Sequence, residues 1–332
     1  MKIQKASILF LLLPVYLLLN GCKENTIPVK IDRFEQALFE TKENAPALHF
    51  KNLANRYPTF FHSFAVDMLN ISEEEDISNF SVSLNEFINY PTIRQLKREV
   101  DSVYPDLSVI EAQLGKAMYQ YHSFFPNYKI PRFISFVSEF GFANVTYDSI
   151  IGIGLDMYLG SHYPLYRALE FPDFMVAKLS SEYIVPNTIR AMAIGKYENQ
   201  LKDKRFIAMM LFEGKVKYFL KKLLPEVEDS IIFGYSPVQL KWCEDNQQMI
   251  WAHFIENKLL YSNNAGEYMR YFNDGPFTIA TGVPQESAPS IGVFAGYKII
   301  EKYMQENKNI SLQDLMENSN WDQILQKSAY RP

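Results

Sequence analysis

Apolar residues recur at helical spacing over the first third of the chain. Residues three and four positions apart lie on one face of a helix, so each such series predicts an amphipathic helix with a buried stripe. Ser108, followed three residues later by Glu111, also predicts a capping box at a helix start. The three series are Ile31, Phe34 and Leu38; Ile93, Leu96, Val100 and Val103; and Ile110, Leu114, Met118, Tyr121 and Phe125.

Between residues 132 and 154 the pattern changes to short runs of aromatic and β-branched residues separated by glycines. The runs are Phe133, Ile134, Phe136 and Val137; Val145 and Tyr147; and Ile150, Ile151 and Ile153, with Gly141, Gly152 and Gly154 between and within them. Such residues are enriched in strands, and glycine marks turns or close approach. This segment predicts a small β-sheet.

Helical periodicity returns after the predicted sheet, over residues 182–197, 204–223, 236–261, 291–306 and 311–316. Two of these helices have capping boxes at their starts, Ser236 with Gln239 and Ser311 with Asp314. No internal repeat or Gly/Ser linker divides the chain. We therefore predict a single α+β domain over residues 31–332, predominantly helical with a small β-sheet, whose part 31–125 is helical.

Glycine and proline are concentrated between residues 273 and 292, which predicts a long loop before the last large helix. Long loops in compact domains are often functional. We therefore take this loop as a possible partner contact, with Asn273, Asp274 and Phe277 as its candidate residues.

The amino terminus has the pattern of a lipoprotein signal peptide. Lys2 and Lys5 precede an apolar run over residues 8–19, and Asn20, Gly21 and Cys22 follow. The run is shorter than the roughly 20 apolar residues that a membrane-spanning helix needs. We predict a signal peptide over 1–21, lipidation at Cys22 and a short tether over 22–30. The alternative is a buried N-terminal helix that ends in an accidental cysteine.

Composition describes an ordinary globular chain, with 332 residues, 48% hydrophobic and 21% charged. Lys and Arg number 33 against 38 Asp and Glu, a net charge of −5, so no overall positive field attracts nucleic acid. Cys243 is the one cysteine besides Cys22 and, with apolar neighbours, is predicted to be a buried thiol. Nucleic-acid binding and cysteine catalysis are disfavoured.

The motifs of common cofactor sites are missing. There is no P-loop, no third glycine at the required position after Gly152 and Gly154, and no Gly-x-Ser-x-Gly elbow. The five histidines do not include two at the i, i+4 spacing of a zinc-binding helix; they are His49, His62, His122, His162 and His253. We predict no cofactor and no metal.

Two carboxylates are candidates for acid–base chemistry. Glu213 lies on the apolar stripe of its helix, where burial would raise its pKa, and Asp156 follows the glycine-rich strand. The alternative for Glu213 is a structural role with a backbone or tyrosine partner, and for Asp156 a cation site or the favoured turn cap. Asn187, on another apolar face, is predicted to bond internally.

Several runs resemble the GldB family of gliding motility lipoproteins. They include Ile151-Gly152-Ile153-Gly154-Leu155-Asp156, Glu182-Tyr183-Ile184-Val185-Pro186-Asn187, Phe212-Glu213-Gly214-Lys215-Val216-Lys217, Gly234-Tyr235-Ser236-Pro237 and Phe272-Asn273-Asp274-Gly275-Pro276-Phe277. The resemblance implies a lipid-anchored protein of the cell envelope without assigned catalysis, associated with the gliding and type IX secretion machinery. Its partners would be membrane lipid, through acylated Cys22, and protein components of that machinery. Lys23 after the acylated cysteine favours the outer membrane, facing the periplasm.

The resemblance extends to zinc proteases of the HExxH type over residues 126–332. Asn187, Thr188 and Ala191 would stand at the His, Glu and second His of that motif, and Glu213 at a later glutamate. Two metal ligands and the general base would then be absent. This implies a zincin-like (metalloprotease-like) scaffold lacking its HExxH motif, a pseudoenzyme.

Short Asp-Ser-hydrophobic motifs resemble O-glycosylation sites of exported proteins in such bacteria, at Ser102, Ser149 and Ser230. Three functions therefore remain open at this point. The favoured one is a non-enzymatic envelope lipoprotein of the gliding and secretion machinery. The others are an envelope hydrolase on peptide or cell-wall substrate that uses Glu213 and Asp156, and a nutrient-binding lipoprotein that uses the tyrosines.

Overall fold

A computed structural model describes residues 25–40, 46–72 and 77–332. Cys22 lies outside these residues. The fold is α+β, as predicted, with a four-stranded sheet and helices on both of its faces. In the described residues no helix has the length and apolar character to cross a membrane.

The sheet consists of β1 (Ile31–Arg33), β2 (Arg132–Phe136), β3 (Asn144–Tyr147) and β4 (Ile150–Gly154), in the order β1-β2-β4-β3. β2 is parallel to β1 and β4, and β3 is antiparallel to β4. The predicted sheet at 132–154 is therefore confirmed. β1 was not predicted, because residues 31–33 continue the helical spacing of the residues that follow.

The helices of the first part are α1 (Phe34–Phe39), α2 (Pro46–Arg56), α3 (Pro58–Ser63), α4 (Ile77–Asn89), α5 (Pro91–Val103) and α6 (Ser108–Phe124), with a π-helical turn over Phe64–Met68. The expected capping box at Ser108 is wrong. Ser108 is itself helical and its N–H donates to Asp106, while Glu111 accepts from the N–H of Ile31, 3.0 Å away. Glu111 thereby fixes the start of β1 rather than its own helix.

The helices of the second part are α7 (Pro164–Ala168), α8 (Asp173–Val176), α9 (Ile184–Tyr197), α10 (Phe206–Leu223), α11 (Asp229–Phe233), α12 (Pro237–Asp245), α13 (Gln247–Glu256), α14 (Ala265–Tyr268), α15 (Ile291–Glu306), α16 (Leu312–Glu317) and α17 (Trp321–Ser328). Both capping boxes of this part are confirmed, at Ser236 and Ser311. The predicted helix 236–261 is two helices, because the chain leaves the helical conformation at Asn246.

Successive side chains of β2 point to opposite faces of the sheet, so this strand contributes to two hydrophobic cores. Phe133 belongs to the larger core, formed with α6, α9, α10 and α15, whereas Phe136 belongs to a smaller, mainly aromatic core with α1 and α3. Gly152 leaves room for this second core, since an added Cβ would lie 2.9 Å from the Phe136 ring. The helices of 31–125 contribute to both cores.

Helix α10 crosses α15 at very short range, because Gly214 and Gly296 face each other. A Cβ added to Gly296 would lie 1.9 Å from the carbonyl oxygen of Met210. This contact sets the position of α10, which carries Glu213 and Lys217, against the rest of the molecule.

Candidate ligand cavity

A cavity of about 350 Å³ opens beside the first half of α9 and the middle of α10. Its walls come from α9, α10, α11, the turn after β4, the segment around residue 178 and the loop that precedes α15. Apolar walls include Met157, Met175, Phe233, Phe272 and Val293. The charged lining residues are Lys178, Arg190, Glu213, Lys217 and Asp274.

Glu213 lies at this cavity and is neutralised by an arginine. Its carboxylate oxygens both accept from Arg190 Nη2 at 3.2 Å, and its side chain is 15% exposed. Arg190 lies on α9, one turn after Asn187, so the packing of α9 against α10 brings the pair together. Sequence reasoning favoured a backbone or tyrosine partner and missed Arg190.

Lys217 lies one helical turn after Glu213 and is buried. Its Nζ donates to the Ile232 carbonyl at 2.6 Å, near the end of α11. Burial, reinforced by the positive charge of Arg190, lowers the pKa of Lys217 to about 7. An ammonium group has three N–H donors, and Ile232 is its one hydrogen-bond acceptor among the residues that the structure describes.

The remaining charges at the cavity pair with each other. Lys178 Nζ donates to Asp274 Oδ1 at 2.6 Å, which ties the predicted contact loop to the segment after α8. Asp274 also accepts from the N–H of Gly275 at 2.9 Å. The sequence selected Asp274 as a candidate partner contact; the structure places it, exposed, at the cavity.

The predicted internal bond of Asn187 is present. Asn187 Nδ2 donates to the Tyr158 hydroxyl at 3.1 Å, and that hydroxyl donates to Asn144 Oδ1 at 3.0 Å. Burial raises the pKa of Tyr158 to about 12, so the phenol stays protonated. The resulting chain of polar groups fixes one wall of the cavity.

Asp156 does not join Glu213 at the cavity. Its side chain is fully buried, and Oδ2 accepts from the N–H groups of Ser138 and Phe140 at 3.1 and 2.7 Å. Burial raises the pKa of Asp156 to about 6. Glu139 and Phe140 both have positive φ, a backbone conformation that residues other than glycine rarely adopt. The Asp156 carboxyl group therefore holds a strained turn.

The positions aligned with a zinc motif have other partners. Thr188 donates to the Ile184 carbonyl at 2.7 Å, and Asn187 is bound to Tyr158. Within residues 25–40, 46–72 and 77–332, no group of three His, Cys, Asp or Glu side chains could hold a metal ion. Cys243 is buried, and burial raises the pKa of its thiol to about 12.

The other predicted site residues lie at the surface. Ser102 and Ser149 are exposed, whereas Ser230 is half-buried and its Oγ lies 3.3 Å from Glu228 Oε2. In the predicted contact loop Asn273 is exposed and Phe277 half-buried.

Comparison with known proteins gives one family. The family model described as gliding motility protein GldB matches residues 21–332. No curated protein and no solved structure matches the chain. The expected likeness of residues 126–332 to a zinc protease scaffold is therefore not supported.

Proposed function

Because the chain belongs to the family of the gliding motility protein GldB, we propose that it is a lipid-anchored, non-enzymatic component of the gliding and type IX secretion machinery. Acylated Cys22 would attach it to the outer membrane, with the folded part in the periplasm. The family match over residues 21–332 is the observation that carries this proposal, and the signal-peptide pattern supports the lipid anchor.

The charges at the cavity support a role other than hydrolysis. A hydrolase with two carboxylates needs them on either side of one substrate bond. Here Glu213 is paired with Arg190, and Asp156 holds a turn outside the cavity. The two carboxylates therefore do not meet the geometric condition of the alternative function.

The loop before α15 is the proposed contact with a protein partner. Ile279 in this loop is 66% exposed, and the residue before it is held in place because the N–H and Oγ1 of Thr278 both donate to the Ala288 carbonyl. Gln239 Nε2 donates to the Pro276 carbonyl at 2.8 Å, which joins the loop to α12, where Val238 is 77% exposed. Exposed apolar side chains on a fixed backbone suit a protein interface.

Gliding of single cells tests this proposal in a strain that lacks the gene and carries one variant at a time. Ile279→Glu should abolish gliding at unchanged protein level, because it places a charge in the contact. Val109→Glu is the matched control, since Val109 on α6 is 69% exposed and lies outside the loop. Glu213→Gln should glide normally, and Cys22→Ala should release the protein from the membrane.

Two results would contradict the proposal. Normal gliding of Ile279→Glu would remove the loop as a contact surface. A Glu213→Gln strain with abundant protein and no gliding would favour the hydrolase instead.

A further inference from the structure

The residues that line the cavity carry one more positive charge than negative charges. Three cations, Lys178, Arg190 and Lys217, line it together with two carboxylates, Glu213 and Asp274. Four of these five groups form two ion pairs, Lys178 with Asp274 and Arg190 with Glu213. Among the residues that the structure describes, Lys217 has no carboxylate as an ion-pair partner, in a protein whose net charge is −5.

The surroundings of Lys217 do not satisfy its ammonium group. A buried ammonium is costly unless it is paired and its donors are bonded. Lys215, two residues earlier on the same helix, is also buried but donates to two carbonyl oxygens, of Met316 and Asn318, both at 2.9 Å. Lys217 donates to one and lines this cavity, whereas Lys215 is not among the residues that line it.

The residues that line the cavity restrict which ligand group could supply the negative charge that balances Lys217. Glu213 and Asp274 would repel a dianion such as sulfate, whereas a single negative charge would bring the lining to neutrality. Met157, Met175 and Phe272 offer apolar surface beside the charged floor. A volume of about 350 Å³ is at the small end of ligand pockets, which range from roughly 300 to 1,000 Å³.

We propose that this cavity binds a single carboxylate group on a compact apolar body, the chemistry of a peptide's C-terminal residue, with Lys217 as the charge partner of the carboxylate. The apolar body would lie against Met157, Met175 and Phe272. Ile279, the proposed partner contact, does not line this cavity, so the two proposals can fail separately.

Calorimetric titration of the purified full chain in mild detergent tests the site with defined probes. The probes are the N-acetyl derivatives of alanine, leucine and phenylalanine, the matching N-acetyl amides, and inorganic sulfate. At pH 6.5 we expect at least one acid to bind, with the amides and sulfate much weaker. Lys217→Met should weaken binding by roughly tenfold to a hundredfold, the range of one charge-assisted hydrogen bond.

Lys215→Met is the matched control, because it removes a buried lysine of the same helix away from the cavity. It should leave the affinity unchanged even where it lowers the melting temperature. Failure of all three acids to bind at millimolar concentration overturns the proposal. Equal binding of acids and amides, tighter binding of sulfate, or equal loss of affinity in both lysine variants also overturns it.

The pH dependence gives a second readout. A carboxylate probe stays ionised above pH 6, so binding requires protonated Lys217, whose pKa is about 7. The affinity should therefore fall roughly thirtyfold between pH 6 and pH 8.5. The charged groups that face Lys217 are Arg190 and Glu213 from α9 and α10, and Lys178 and Asp274 from the two loops. Lys217→Met should abolish the slope; an unchanged slope refutes the assignment to Lys217.

Discussion

Replacement of Asp156 by asparagine tests how the strained turn after β2 is held. The amide oxygen of asparagine can accept the same two N–H groups, of Ser138 and Phe140, that Asp156 Oδ2 accepts. Asp156 Oδ1 is buried without a hydrogen-bond partner in the described structure. Asparagine thus resembles the neutral, protonated carboxyl group. Its amide nitrogen would take the place of Oδ1, which has no hydrogen-bond partner in the described structure.

The magnitude follows from the pKa. Burial raises the pKa of Asp156 from 3.8 to about 6, so the folded state binds the proton more tightly than the unfolded state. The stabilisation that the protonated Asp156 contributes to the free energy of unfolding is fully present below pH 3.8 and is lost as pH rises through 6. The loss is about 3 kcal/mol, at about 1.4 kcal/mol per pH unit.

Urea unfolding of the wild type and Asp156→Asn between pH 4 and pH 8 measures this difference. The two proteins should have similar free energies of unfolding at pH 4, and the variant should be more stable by up to about 3 kcal/mol above pH 6. Asp156→Ala is the control: it leaves two buried N–H groups unpaired and should cost about 2–4 kcal/mol at pH 4. Because alanine also lacks the titrating carboxyl group, its pH profile should run parallel to that of Asp156→Asn at a lower free energy of unfolding. Parallel pH profiles for the wild type and Asp156→Asn would refute the reasoning.

Three further substitutions test the packing around α10. Gly296→Ala should cost about 3 kcal/mol or more, because its methyl group would lie 1.9 Å from a backbone oxygen of α10; thermal unfolding measures it. Lys215→Met should lower the free energy of unfolding by about 2–4 kcal/mol through the two carbonyls left unpaired, measured in urea. Arg190→Met should cost about 2 kcal/mol, and adding Glu213→Gln should restore most of it in a double-mutant cycle.

The sequence predicted those elements whose own residues decide their structure. The capping boxes at Ser236 and Ser311 form as expected because both partners lie within one helical turn. The sheet at 132–154 was also predictable, since its residues favour strands and its glycines face aromatic rings. Strand β1 was not predictable, because its partner β2 lies about 100 residues away in the chain and a three-residue strand has no periodicity of its own.

The cavity was less predictable, because it depends on contacts between distant elements. Helical spacing indicated that Glu213 is buried, but its partner Arg190 comes from a different helix, 23 residues away. The pairing of Lys178 with Asp274 joins residues 96 positions apart. A lysine inside an apolar run is the one signal that could have selected Lys217, and it does not distinguish a buried from a solvated side chain.

The burial of helix α10 explains why its polar residues have partners that the helix's own sequence does not predict. A helix packed on one side has a polar face, whereas α10 is buried on nearly every side, so each polar residue there needs its own partner. Successive positions point in different directions: Glu213 toward α9, Gly214 toward α15, Lys215 toward the end of α16 and Lys217 toward α11. Glu213 is paired with Arg190, Gly214 is closely packed, and Lys215 donates to two carbonyl oxygens. Lys217 lines a cavity, so a charge without an ion-pair partner among the described residues lies where a ligand can reach it.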